Sequence, residues 1–184
     1  MAKQKPLRAM TIVLSVCSSL IFAVVRAEAH EGGLTSTAEL ESKSGSGVVG
    51  SLRLQQHGNA VHVSGAVKGL TPGFHGVHVH ANGNCDSADG LSAGHVFNPT
   101  GARRQGGRAG EHPLGDLGNI LADEAGNVEI ELVVDGATIA LMGTNSIAER
   151  AIVIFDVPDD HSDPDGNGGR RVACGFIDQD MMRM

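Results

Sequence analysis

The sequence predicts an all-β domain, a sandwich or barrel of short antiparallel strands. Polar and apolar residues alternate in short runs, as in Val48-Val49-Gly50-Ser51-Leu52-Arg53-Leu54 and Ala60-Val61-His62-Val63, and this period of two marks half-buried strands. His57-Gly58-Asn59 and Gly69-Leu70-Thr71-Pro72-Gly73 punctuate the runs with residues that suit corners. Beyond the N-terminus there is almost no helical periodicity. With 184 residues and 41% hydrophobic content, the chain has room for one domain with a real core.

The first 29 residues read as an address. Lys3, Lys5 and Arg8 precede an apolar run from Thr11 to Val25, and Ala27-Glu28-Ala29 follows. That order of basic, apolar and small residues predicts a secretory signal peptide, residues 1–29, cleaved after Ala29 to leave a domain over 30–184. About 15 apolar residues are too few to cross a bilayer comfortably, so no stable membrane span is expected after cleavage. Lipid attachment at Cys17 is the alternative, disfavoured by the bulky Val16 before it.

The whole chain carries a net charge of −7; losing Lys3, Lys5, Arg8 and Arg26 with Glu28 takes it to −10, which argues against nucleic acid as a partner. Cleavage also removes Cys17 and leaves Cys85 and Cys174 in an oxidising compartment. One long-range disulfide is the simplest reading, with a free-thiol pair or a shared metal site as alternatives. Such a bridge would contribute on the order of 4 kcal/mol by chain entropy.

Taken in order, Thr35 to Val67 predicts a meander of antiparallel strands that places His57 and His62 on its solvent side. The next strand reads GFHGVHVH from Gly73 to His80, with His75, His78 and His80 inside six positions. A lone histidine on an apolar strand is usually a buried, hydrogen-bonded ring. An i, i+2 pair differs, because a strand sends His78 and His80 to the same face, where their nitrogens can converge on one ion. Imidazole suits copper, zinc, iron and nickel. Residues 81–118 are irregular and rich in Gly, Asp, Asn and Arg, which predicts a functional loop in need of staples. Strands are predicted over Asn127–Val134, Thr138–Met142, Ala151–Phe155 and Val172–Ile177, with a second loop, Val157–Gly169, rich in Asp, Pro and Gly.

The motifs GLTPGFHGVHVH (69–80), SAGH (92–95), FNP (97–99), GDLGN (115–119) and RVACG (171–175) together resemble the copper/zinc superoxide dismutase family, in its secreted, bacterial-type form. The resemblance runs from about Val48 to Ile177. It implies a Greek-key β-sandwich or flattened barrel of about eight antiparallel strands with two long functional loops. It implies copper held by His78, His80 and His95, with His95 bridging to zinc held by His112 and Asp116. His75 would lie beneath the copper site, Asp159 would link the two sites from outside, and Arg171 would draw superoxide in. Cys85 and Cys174 match the family disulfide. The implied reaction turns superoxide into hydrogen peroxide and oxygen, in a secreted or periplasmic protein, and the implied assembly is a homodimer.

The sequence departs from the family at two ligand positions. Phe155 stands where the family places a further copper histidine, and Gln105 (or Arg104) stands where a zinc histidine is expected before Gly106-Gly107. These departures predict a degenerate metal site of impaired activity. The alternative is a non-catalytic copper- or zinc-binding protein on the same fold. His161, or His30 as a new N-terminus, are the replacement ligands the sequence offers.

Overall fold

The computed structural model describes residues 33–103, 112–161 and 169–179. Nine strands occur in this order: β1 (Thr35–Ser42), β2 (Val49–His57), β3 (Ala60–Lys68), β4 (Gly73–His80), β5 (Asp116–Ala122), β6 (Val128–Asp135), β7 (Ala151–Phe155), β8 (Arg171–Phe176) and the short β9 (Asp178–Gln179). A single 3-10 turn, Leu91–Ala93, is the one helical element among the described residues. None of their helices is long and apolar enough to cross a membrane.

Eight strands pair antiparallel in the order β5-β4-β7-β8-β1-β2-β3-β6, and β9 adds to β1. The terminal strands β5 and β6 also touch, so the sheet curls into a nearly closed Greek-key barrel. Two of the connections among β1 to β8 therefore join strands that are not neighbours, β3 to β4 and β6 to β7. Leu52, Leu54, Val61, Val63, Val77, Val79, Ile130, Ile152 and Ile154 fill the interior.

Strand β7 reads AIVIF and is buried on both faces, which explains its unbroken apolar run. Ile152 and Ile154 point into the barrel. Ala151, Val153 and Phe155 point outward into a second, smaller cluster with Ala93 and Cys174, against which Cys85 packs. The outer face of β4 and β7 is thus roofed by the connection from β4 to β5.

Two elements differ from the sequence expectation. Thr138–Met142 is not a strand; Thr138 makes one isolated bridge to Ser146, and the segment turns. Side chains replace the ladder there: Gln56 Oε1 accepts from Ile139 N at 2.9 Å, and Gln179 Nε2 donates to Ile139 O at 2.9 Å. Conversely, Asp116–Ala122 forms β5, although its glycine and asparagine hide the strand period.

Candidate metal centre

Register places the two histidines of the HVH run. On β4, His78 faces Val153 and His80 faces Ala151 of β7, so both rings share the outer face with Phe155. Val77 and Val79 alternate into the barrel. Both imidazoles are fully buried beneath the roof, their ring centroids 6.0 Å apart.

Each ring is fixed through one nitrogen. His78 Nε2 donates to Asp159 Oδ2 at 2.5 Å, and His80 Nδ1 donates to Gly94 O at 2.8 Å. A neutral imidazole protonated there keeps its lone pair on the other nitrogen, Nδ1 of His78 and Nε2 of His80, and both of those atoms are buried. Two imidazole lone pairs held in this way suit a copper ion.

Phe155 forms the wall of this pocket. Its ring lies 4.9 Å from that of His78 and 5.8 Å from that of His80, and it offers no donor atom. A carbon ring therefore occupies the ground between the two histidines and Arg171, whose guanidinium carbon is 6.0 Å from the Phe155 centroid. Arg171 Nη1 donates to Gly90 O at 2.8 Å and Nη2 to Gly94 O at 2.7 Å, so Gly94 O receives both His80 and Arg171. The neighbouring Arg170 is exposed and paired with Asp156 at 2.8 Å.

His75 lies beneath, buried, with Nδ1 at 2.7 Å from Phe155 O and Nε2 at 2.7 Å from Thr71 O. It ties the end of β7 to the corner before β4. The Cys85–Cys174 disulfide is formed and joins the roof to β8. Arg150 adds another clamp, with its guanidinium carbon 3.5 Å above the Phe97 ring and Nη1 donating to Ala81 O at 2.7 Å. Burial lowers the Arg150 pKa from its ordinary value.

The carboxylate side comes from two connections. Asn119 on β5 accepts from Asp159 N at 2.7 Å and donates to Asp159 O at 3.0 Å, pinning that loop over the sheet. The approach is close because residue 76 is glycine: a Cβ there would stand 3.2 Å from Asp159 Cβ and N. Gly115 permits a similar approach, since its Cβ would meet Val79 O at 2.3 Å, and it leads directly into Asp116. The ligand atoms of His78, Asp116 and Asp159 lie within 4.8 Å of one another, and all three residues are buried.

The remaining histidines differ in exposure. His95 is exposed. His112 is half-buried, its Nδ1 3.0 Å from Pro113 O, and it lines a cavity of about 190 Å³ with Leu114, Asp116 and Leu117. Neither joins the His78–Asp116–Asp159 group, and nor does His80. His161 brings Nδ1 to 3.6 Å from Asp116 Oδ2. His57 and His62 are exposed on the meander, as their positions predict, with rings 4.4 Å apart. Residues 1–29, Cys17, His30, Arg104 and Gln105 lie outside the described residues. The role of Asn119 was hidden in the GDLGN motif, where only its conversation with a loop 40 residues away reveals it.

An antiparallel Greek-key barrel carrying buried imidazoles on its outer face, under a disulfide-stapled roof, defines a class of metal-site proteins. Residues 48–177 match the copper/zinc superoxide dismutase (SODC) family. The chain is 38% identical over 154 residues to the extracellular superoxide dismutase (Cu-Zn) of Brugia pahangi, covering 78% of this chain and 75% of that protein. Among solved structures, that of the clock protein EA4 is similar with a TM-score of 0.67 and 32% identity, over 79% of this chain and 94% of the other. The chain belongs to the copper/zinc superoxide dismutase family.

Proposed function

We propose that this protein is a secreted or periplasmic copper protein that disproportionates superoxide to hydrogen peroxide and oxygen, at a rate lowered by Phe155. His78 Nδ1, His80 Nε2 and His95 are the proposed copper ligands. The observation that carries the reading is the pair of buried imidazoles on β4, each with one nitrogen already fixed by Asp159 or Gly94 O. Copper held there by His78, His80 and His95 would supply the one-electron redox chemistry by which two superoxides and two protons become oxygen and hydrogen peroxide.

The residues of the chain do the rest. Asp159 and Gly94 O hold the tautomers that turn the two lone pairs outward. Arg171 places a fixed positive charge beside the pocket; in a chain of net charge −7, that local charge is what attracts an anion. Phe155 leaves at most three imidazoles, which weakens copper retention. The zinc set proposed by resemblance, His95, His112 and Asp116, lacks a further histidine at Gln105. Secretion is supported by the disulfide and by the extracellular relative, and it rests on residues 1–29 acting as a signal peptide and 30–184 as the mature domain. The assembly proposed is a homodimer.

A second reading, a metal-binding member of the fold without turnover, is favoured by the Phe155 ring packed against both histidines. Metal analysis of the secreted, disulfide-bonded protein with a dismutase assay in added copper separates the two. Stoichiometric copper with turnover supports the enzyme; stoichiometric copper without turnover supports the binder; a folded protein that takes up no copper sinks both copper readings. Phe155→His is expected to raise copper affinity and dismutase rate at least about tenfold, as restoring a ligand should.

A further inference from the structure

We infer that His57 and His62, on the outer face of the β2–β3 hairpin, form a surface site for a Cu²⁺ ion. The site shares no residue with the buried pocket and goes beyond the function proposed for it.

Register sets the two rings side by side. His57 faces Ala60 and His62 faces Gln55 across the hairpin, so the histidines are diagonal neighbours on one face of the sheet. Leu52, Leu54, Val61 and Val63 fill the other face, and both imidazoles are exposed. Their ring centroids lie 4.4 Å apart with the planes inclined by 44°. An imidazole nitrogen about 2 Å from an ion puts its ring centroid about 3.2 Å away, so two such rings lie about 4.5 Å apart at a right angle and about 5.2 Å apart at a tetrahedral one. The observed spacing fits the right angle of a tetragonal site, the geometry of Cu²⁺ and Ni²⁺, and of these copper binds nitrogen ligands more tightly. Water would complete the coordination.

The hairpin tip is braced. Gln56 turns inward, its Nε2 donating to Gly58 O at 3.0 Å, Ala60 O at 3.1 Å and Ala137 O at 3.3 Å. Its Oε1 accepts from Ile139 N, and Gly136 N donates to Asn59 O at 2.8 Å. The backbone carrying both rings is thus already held at the barrel end, and little ordering opposes binding. Charge adds to this. On β6, Glu131 and Asp135 take the outward positions diagonal to His62, and Arg53 on β2 is the opposing charge. Two carboxylates against one guanidinium favour a cation. Ala60, between His57 and Asp135 in the same cross-strand row, covers that ground with only a methyl group.

The test uses the full disulfide-bonded protein with isotope-labelled amides. Cu²⁺ is added in steps to excess, and paramagnetic broadening is read residue by residue in NMR. The expected result is broadening centred on residues 55–62 and reversed by a chelator. His57→Ala and His62→Ala should each lower Cu²⁺ affinity at this position at least about tenfold, because a chelating pair loses its intramolecular second ligand. Both positions are exposed, so both variants are expected to fold, which circular dichroism checks. Broadening around His78 and His80 reports the buried pocket separately and should be the same in parent and variants, so failure of either site shows independently of the other. No broadening over 55–62 in the parent overturns the inference. So does loss in one variant alone, which marks a single ligating histidine, and so does survival of the broadening in both.

Discussion

The two flanks of the candidate metal centre are built by different means. His78 and His80 stand on β4, which pairs with β5 on one side and β7 on the other, and both are fully buried. His95, His112 and His161 stand on connections and are exposed or half-buried. A paired strand fixes the direction of each side chain through its register, whereas a connection does so only where something holds it down. Asp159 makes the point, because it is a loop residue buried as deeply as a strand residue. Asn119 bonds its backbone twice and Gly76 leaves the space it fills.

The sharpest way to break the contrast is to release the roof. Replacing both cysteines, Cys85→Ser with Cys174→Ser, should cost on the order of 4 kcal/mol in denaturant unfolding, because the bridge closes 89 residues. Amide exchange should rise over 81–97 more than over β4; an equal rise in β4 would mean that the flanks are one unit. Gly76→Ala comes next. Its Cβ would crowd Asp159 at 3.2 Å, and overpacking of this kind costs about 1–3 kcal/mol. Thermal unfolding measures the loss, and the His78 ring signals in NMR should shift because the Asp159 loop must move.

Asn119→Ala sharpens the comparison more gently. It removes two hydrogen bonds to Asp159 and should cost about 1–2 kcal/mol, with the backbone amide of Asp159 losing its exchange protection while that of His80 keeps it. The smallest effect lies far from the centre, in the turn between β5 and β6. Asp123 is held below its ordinary pKa of 3.8, chiefly by the Asn127 N–H, which outweighs the opposing effect of desolvation, and further by the Ala125 N–H. A depressed carboxylate pKa adds stability above the ordinary value and loses it as pH falls through the folded one. Asp123→Ala should therefore flatten the acid limb of the stability curve below about pH 4, with urea midpoints as the readout.

Much of the fold could be read directly from the residues. The run AIVIF predicted β7 to the residue, because a strand covered on both faces needs no polar position. The two-residue turn at Gly58-Asn59 likewise followed from local chemistry, Gly58 taking a φ of 57°. Strand β5 was obscured because Gly118 and Asn119 interrupt its period, and Thr138–Met142 looked like a strand because it is an apolar run, although only Ile139 is buried while Leu141 and Met142 are exposed. Both depend on partners distant in the chain.

The same division holds at the candidate metal centre. Alternation along β4 was enough to put His78 and His80 on one face, and Phe155 in the AIVIF run announced a missing donor. Which nitrogen of each ring is hydrogen-bonded was decided by Asp159 and by Gly94 O, which lie 81 and 14 residues away. Tertiary structure alone drew Asp116 together with His78 and Asp159. The physical reason is that local sequence sets the direction of a side chain within its element, while the distance between elements depends on loop staples and close glycine contacts that only the folded chain brings together.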